Sequence, residues 1–385
     1  MKEIDWANLS FGYMKTDYNV RINFHNGAWG ELEVSSDEHL NLHMAATCLH
    51  YGQEAFEGLK AFRGKDGKVR IFRLEENAAR LQSTCQGILM AELPTERFKE
   101  AILKVVKLNE RFIPPYETGA SLYIRPLLIG TSAQVGVHPA EEYMFVVFVT
   151  PVGPYFKGGF STNPYVIIRE FDRAAPHGTG IYKVGGNYAA SLRANKKAHD
   201  LGYSCEFYLD AKEKKYIDEC GAANFFGIKD NTYITPKSSS ILPSITNKSL
   251  MQLAEDMGIK VERRPLEFVS DEDFRKLLRN MNTASFSEYR DYIIIQLLLD
   301  TGMRINECLM IQVTDVNLPK RYIYLPAENT KGKKGRHVFF SDKMATQLQR
   351  WIKYKDRYRD SDFLFCTNKG KFLEVSNFEK NVRKY

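Results

Sequence analysis

From Asp271 the grammar of the sequence changes to helices, which marks a new domain. Before that point apolar residues come in short runs punctuated by glycine and proline. Val20-Arg-Ile-Asn-Phe24 alternates as a half-buried strand does, and Arg63-Gly-Lys-Asp-Gly67 is a hairpin turn ahead of Val69-Arg-Ile-Phe72. Strands are expected at 121–128, 144–150, 165–169, 205–209 and 232–235, with helices at 75–85 and 98–112, the second stopped by Pro114-Pro115. The glycine and proline cluster at 151–159 reads as a hinge. Past 267 helices take over, beginning with a capping box at Ser270-Asp-Glu-Asp273 and continuing at 286–301, 305–312 and 344–358. A basic hairpin joins strands 321–325 and 337–340, and 363–366 is expected to be a short strand. The whole is therefore α+β in three parts, 1–150, 151–266 and a mainly α part with a small β-hairpin sheet at 267–385.

Charge respects the same boundary. From Glu267 onward there are 22 Lys+Arg against 16 Asp+Glu, whereas the first 266 residues hold 32 against 31. A near-neutral body suits an enzyme of small molecules, and a basic last third invites nucleic acid. The six cysteines form no Cys-x-x-Cys pair, so neither a metal site nor a disulfide framework is expected. The longest apolar run, Ile293-Ile-Ile-Gln-Leu-Leu-Leu299, is too short to span a bilayer, and the N-terminus is charged and acidic. A cytoplasmic protein with reduced thiols and no membrane segment is the expectation.

Chemistry concentrates in Gly178-Thr-Gly-Ile-Tyr-Lys-Val-Gly-Gly-Asn-Tyr188, where Lys183 sits between two glycine pairs. Glycine lets backbone approach a ligand closely, and a lysine whose pKa is lowered by burial is a nucleophile toward aldehydes. The same segment can also be a glycine-rich surface loop with a solvated lysine. Further motifs run in order along the first two-thirds: Tyr51-Gly-Gln-Glu-Ala-Phe-Glu-Gly-Leu-Lys-Ala-Phe62, Ser121-Leu-Tyr-Ile-Arg-Pro126, Pro151-Val-Gly-Pro-Tyr-Phe156, Asp218-Glu-Cys-Gly-Ala-Ala-Asn-Phe225 and Ile241-Leu-Pro-Ser-Ile-Thr246. With these motifs, residues 1–266 resemble a branched-chain amino-acid aminotransferase, a two-domain fold-type IV enzyme that uses pyridoxal 5'-phosphate.

The resemblance implies a role for each matching residue. Lys183 would hold pyridoxal phosphate as a Schiff base and shuttle the reacting proton. Glu219 would face the pyridine nitrogen, Tyr188 the ring oxygen, and Arg80 with the backbone of Ile245 and Thr246 the phosphate. Tyr51, Phe56 and Tyr123 would line the substrate side-chain pocket, with Tyr123 also near the substrate carboxylate and Arg125 receiving the second carboxylate of glutamate. The implied reaction moves the amino group of leucine, isoleucine or valine to 2-oxoglutarate. The implied assembly is a homodimer in which the loop Gln134-Val-Gly-Val137 covers the neighbouring subunit's pocket. After Arg263-Arg-Pro265 the family continues with a closing segment carrying a Gly-Thr-Ala turn, and nothing like it follows here. The larger domain is therefore expected to be incomplete and the activity impaired.

Residues 267–385 resemble the catalytic domain of a tyrosine recombinase of the phage integrase family, on Leu298-Leu-Asp-Thr-Gly-Met-Arg-Ile-Asn-Glu307, Thr314-Asp-Val316 and Thr330-Lys-Gly-Lys-Lys-Gly-Arg336. The resemblance implies that Arg304 and Lys331 contact DNA phosphate and that Glu307 supports the pocket. The family's later His-x-x-Arg and nucleophilic tyrosine have no match, and Tyr385 reads as an ordinary tyrosine. The alternative to a transaminase is accordingly a weakly DNA-binding recombinase fragment without strand cleavage. A further alternative is a gene fusion in which neither part works.

Overall fold

The computed structural model describes residues 4–153, 164–269, 271–330 and 333–385. Ser270, most of the expected hinge at 151–159 and Lys331 lie outside the described residues. The chain divides into two compact units, Met1–Phe268 and Val269–Tyr385.

The first unit opens with a seven-stranded sheet. Its strands are β1 (Asn19–His25), β2 (Ala28–Ser35), β3 (Glu54–Phe56), β4 (Leu59–Arg63), β5 (Val69–Ile71), β6 (Ser121–Gly130) and β7 (Tyr143–Val152). They run in the order β2-β1-β7-β6-β4-β5, with β3 pairing β6 beyond the end of β4. The long central pair β6 and β7 is antiparallel from Ser121↔Val152 to Gly130↔Tyr143. Helices α2 (Leu74–Gly87) and α3 (Thr95–Leu108), which follow the short helix α1 (Thr47–His50), cover one face. Their apolar residues recur at helical spacing: Leu74, Ala78, Leu81 and Cys85 on α2, Phe98, Ala101, Ile102 and Val105 on α3. These meet Val20, Ile22, Leu122, Ile124, Phe145 and Val147 from the sheet in one core.

Helix α3 ends at Leu108 rather than at 112. The side chain of the buried Asn109 donates to the Val105 carbonyl at 2.8 Å and accepts the backbone N–H groups of Asp17 and Tyr18 at 3.0 and 3.1 Å. That side chain competes with the helix ladder and ties the turn to another segment.

The rest of the unit carries β8 (Tyr165–Ile167), α4 (Gly185–Asp200), β9 (Cys205–Leu209), β10 (Ile217–Cys220), β11 (Ala223–Asn224), β12 (Gly227–Lys229), β13 (Thr232–Thr235), α5 (Ile245–Asp256) and β14 (Lys260–Arg263). The strands form two sheets, β11-β10-β9-β8 and β12-β13-β14. The core here is small: Ile168, Ala194 and Tyr208 are buried together, with Val166 and Phe171 against them. Phe226, Ile228, Leu253 and Met257 are exposed.

The second unit is mostly helical: α6 (Asp271–Asn280), α7 (Phe286–Thr301), α8 (Ile305–Leu309), α9 (Asp342–Tyr358) and α10 (Val375–Val382). A three-stranded sheet of β15 (Val316–Asn317), β16 (Tyr322–Leu325) and β17 (Arg336–Phe339) accompanies them. Gly302 takes φ +64° and closes α7 through its N–H to the Leu298 carbonyl at 2.9 Å, a left-handed cap that a β-carbon would strain. Helix α7 buries Ile293, Ile294, Ile295 and Leu297, and packs against α9, whose Leu348 and Trp351 are fully buried.

Two expectations fail in this unit. Helix α8 stops at Leu309 instead of 312, because the N–H of Gln312 turns to the Asp315 carboxylate at 2.8 Å and that of Val313 to the Asp362 carbonyl at 2.8 Å. Residues 363–366 form no strand, only isolated bridges from Phe363 to Gln312 and from Cys366 to Phe372. Side chains take the carbonyls that a ladder would need: Trp351 Nε1 donates to Leu364 at 2.8 Å and Arg290 Nη1 to Cys366 at 3.0 Å.

Trp351→Ala is expected to lower the stability of this second unit by about 3–5 kcal/mol, since it opens a cavity and leaves the buried Leu364 carbonyl unpaired. Urea unfolding followed by far-ultraviolet circular dichroism measures this, and a loss below about 1 kcal/mol would show that Trp351 is not central to that core.

Candidate active site

A cavity of about 1050 Å³ opens where the seven-stranded sheet, α2 and α4 meet the strands and turns of the smaller sheets. Lys183, Tyr188, Arg80, Glu219, Tyr123, Ile245 and Thr246 all line it. The lysine is presented by a loop that the buried Asn187 fastens, its amide donating to the carbonyls of Thr179 and Tyr182 at 2.8 and 2.9 Å. Backbone bonds from Lys183 N to Thr84 Oγ1 (3.1 Å) and from Phe56 N to the Lys183 carbonyl (3.1 Å) pin the loop to α2 and β3.

The ammonium donates to Tyr188 Oη at 2.7 Å and lies 4.5 Å from the ring centre of Phe56. Burial pulls its pKa down from 10.5 to about 8; Glu57 and Glu219 oppose the shift, while Arg80 and Arg125 add to it. The Tyr188 phenol is raised, chiefly by burial and then by Glu219, so it remains protonated.

Arg80 is held by Glu57, which is fully buried. Nε and Nη2 of the arginine grip the two carboxylate oxygens at 2.8 and 2.7 Å, Nη1 reaches the Pro243 carbonyl at 2.9 Å, and Asn77 adds 2.7 Å to the same carboxylate. Three of the five guanidinium protons are thereby used, and two are left for an anion. Beside it, the N-terminal turn of α5 is capped by Ser244 Oγ, which accepts from Asn247 N at 3.1 Å.

At the other side Glu219 accepts from Asn224 Nδ2 (2.9 Å) and Leu242 N (3.1 Å) and pairs with Arg173 at 2.5 Å. Burial raises its carboxyl to about 7 against the pull of Arg173.

The other assigned residues divide. Tyr123 lines the cavity and accepts from Arg125 Nη2 at 3.0 Å, and the Arg125 guanidinium lies 4.8 Å from the centre of the Phe56 ring. Nε of Arg125 is buried without a hydrogen-bond partner among the described residues. Tyr51, Phe56 and Arg125 do not line the cavity; the Tyr51 hydroxyl donates to the Val135 carbonyl in the loop 134–137, where Val135 and Val137 are exposed.

Sequence reasoning missed Glu57 and Arg173. Glu57 lies inside a quoted motif, where a carboxylate amid apolar neighbours is itself a signal of burial. Arg173, in Phe171-Asp-Arg-Ala-Ala175, carries no local signal.

In the second unit Glu307, also buried, accepts from the Arg304 backbone N–H at 3.0 Å and from Arg336 at 2.8 and 3.0 Å, with Arg304 Nη1 at 3.3 Å. Burial pushes its carboxyl up, but these donors outweigh that and hold it below the ordinary range. The Tyr385 hydroxyl donates to the buried Asp291, which also pairs with Arg290.

A buried amine with a lowered pKa, a carboxylate across the cavity and an arginine beside a helix N-terminus line one cavity, an arrangement in keeping with an amino-transferring enzyme. The chain belongs to the class IV amino-transferases, whose family model matches residues 54–274. Its relatives include the branched-chain-amino-acid aminotransferases of Helicobacter pylori, 50% identical over 269 residues (69% of this chain, 79% of the relative), and of Haemophilus influenzae, 50% identical over 262 residues (66% and 76%). Among solved structures, the Escherichia coli branched-chain amino acid aminotransferase matches with a TM-score of 0.54 at 28% identity, covering 66% of this chain and 78% of that one. Residues 267–385 match the phage integrase family. No described helix is long and apolar enough to cross a membrane, and no group of His, Cys, Asp and Glu among the described residues could hold a metal ion.

Removing Arg80 strands a buried carboxylate. Arg80→Met is expected to cost about 3–5 kcal/mol in chemical denaturation, and the double variant Arg80→Met, Glu57→Met to recover most of it. A double variant as unstable as the single one would show that the charges do not act as a pair.

Proposed function

We propose that the first unit transfers the amino group of leucine, isoleucine or valine to 2-oxoglutarate, with pyridoxal phosphate as its cofactor. The buried Lys183 amine, with its lowered pKa, carries this reading. The donor set fits the cofactor: Lys183 for the aldehyde, Glu219 for the ring nitrogen, Tyr188 for the ring oxygen, and Arg80 with the N–H groups of Ile245 and Thr246 for the phosphate. When bound, pyridoxal phosphate supplies the electron sink that makes the α-carbon of an amino acid acidic.

The chain's own residues do the rest. Lys183, as the free amine, takes the proton from that α-carbon, and Tyr188, held neutral by burial, keeps the amine aimed through their 2.7 Å contact. Tyr123, which lines the cavity, is proposed to meet the substrate side chain together with Phe56, whose ring centre lies 4.5 Å from the Lys183 amine, and Tyr51. Arg125, whose Nε is buried without a hydrogen-bond partner among the described residues, is proposed to take the second carboxylate of glutamate. A second copy of the chain is the proposed partner, its exposed Val135 and Val137 covering this pocket.

Borohydride treatment of the protein incubated with pyridoxal phosphate is expected to fix the label on Lys183, as read by peptide mapping. The pH dependence follows from the depressed pKa: the rate of covalent attachment is expected to be half-maximal near pH 8. Between pH 8 and 10.5 the unfolded chain binds a proton that the folded one has lost, so this lysine's contribution to stability rises with pH over that window. Label on another lysine, or a rate still climbing steeply at pH 10, would contradict the assignment.

A second reading, for residues 267–385, rests on Arg304 and Arg336. Both guanidiniums reach the surface while anchored on the buried Glu307, an arrangement suited to a DNA phosphate. Lys331 is proposed to join them, with the exposed Lys333 and Lys334 as further contacts. Binding to a DNA duplex is expected to fall steeply with salt, and Lys333→Ala, Lys334→Ala together to flatten the log–log salt slope by about two. Unchanged affinity between low and high salt would remove this reading.

A further inference from the structure

Arg173 lies between β8 and the lysine loop, its side chain 10% exposed. Nε stands 2.5 Å from Glu219 Oε2, while Nη2 donates to the carbonyl oxygens of Gly180, at 3.2 Å, and Ser240. These acceptors belong to three different segments. Gly180 opens the loop that presents Lys183, Glu219 lies on β10, and Ser240 is in the turn leading to the N-terminus of α5.

We propose that Arg173 is a positioning residue of this site, keeping Glu219 a carboxylate aimed into the cavity and tying the lysine loop and the α5 approach to it. The inference rests on the transaminase reading, because a charged Glu219 matters to catalysis only opposite a ring nitrogen.

The geometry leaves Glu219 little else to do. A carboxylate offers about four acceptor sites. Arg173, Asn224 and Leu242 take three, and the cavity is open to the remaining one. A neutral acid would donate a proton there instead of accepting a hydrogen bond, and would not keep a ring nitrogen protonated.

Every charged group facing Glu219 bears on that choice. Burial favours the neutral acid, Arg173 is the first influence against it, the Leu242 N–H and Asn224 assist, and Asp218 on the same strand opposes them. Lys183 and Tyr188 face it across the cavity, and both feel its charge. The Asp218 carboxylate is turned away, accepting Ser240 Oγ at 2.7 Å. Lysine in place of Arg173 would keep the charge but not the planar fork that spans three acceptors.

The test uses the full chain without cofactor, labelled with ¹³C-glutamate, the Glu219 carboxyl signal being assigned by its loss in Glu219→Gln. In the unsubstituted chain this signal is expected to titrate near pH 7. In Arg173→Gln the midpoint is expected to rise by about 1–3 pH units, whereas Arg173→Lys is expected to stay within about one unit of the unsubstituted chain. Equilibrium dialysis against pyridoxal phosphate adds the positioning readout: weaker binding in Arg173→Lys despite the preserved titration.

An unmoved midpoint in Arg173→Gln overturns the proposal. Should either variant fail to fold, the unsubstituted chain still decides: the Arg173 Nε–H signal is expected to shift with the same midpoint as the Glu219 carboxyl, and a signal indifferent to that titration overturns the proposal too. Failure of the unsubstituted chain to bind pyridoxal phosphate would instead strike the transaminase reading, an outcome separable from the titration.

Discussion

An ammonium group, two paired guanidiniums and their two carboxylates lie in or against one cavity, and the first unit depends on balancing their charges. A single ion moved from water into protein costs several kcal/mol after relaxation, so none of these groups is tolerable alone. The balance is struck in pairs, Arg80 with Glu57 and Arg173 with Glu219. Lys183 is left with a neutral phenol as its hydrogen-bond partner, and its pKa falls. A chemically useful amine thus results from giving Arg80 and Glu219 their own counter-ions, while the uncompensated Arg125 adds to the fall.

The pairs also do structural work. Arg80 and Glu57 join α2 to the segment between β3 and β4, and through the Pro243 carbonyl they reach the turn before α5. That turn is further held by Leu242 N on Glu219, Asn224 Nδ2 on the Leu242 carbonyl at 3.0 Å and Ser240 Oγ on Asp218. The apolar core of this region is confined to Ile168, Ala194 and Tyr208 with their neighbours. Polar contacts therefore carry much of the order around the anion-binding end of the cavity. Such networks specify one arrangement only while every member is satisfied.

Much of this site was legible in the sequence, and for a physical reason. Lys183, Tyr188 and Glu219 lie inside contiguous motifs that can be read off a single chain, and the fold brings them to one cavity with Arg80. Glu57 and Arg173 act through contacts 23 and 46 residues away in sequence, to Arg80 and Glu219. No period or composition encodes a pairing across such distances. In the second unit the Thr-Gly-x-Arg cap of α7 was readable because Gly302 needs a left-handed φ. The missing strand at 363–366 was not, since alternation cannot reveal that Trp351 and Arg290 will claim the carbonyls of Leu364 and Cys366.

The two units meet the cost of buried charge in different ways. In the second, Glu307 gathers two arginines around one carboxylate, and the surplus positive charge faces solvent, where it can meet an anion without leaving a hole behind. In the first, Arg80 with Glu57 and Arg173 with Glu219 pair one to one, and the amine, bonded to a neutral phenol, can lose its proton. A cation surplus at the surface suits reversible binding of a polyanion, whereas a buried amine without a counter-ion suits covalent attachment to an aldehyde. The two units thus differ in where each leaves its unbalanced charge.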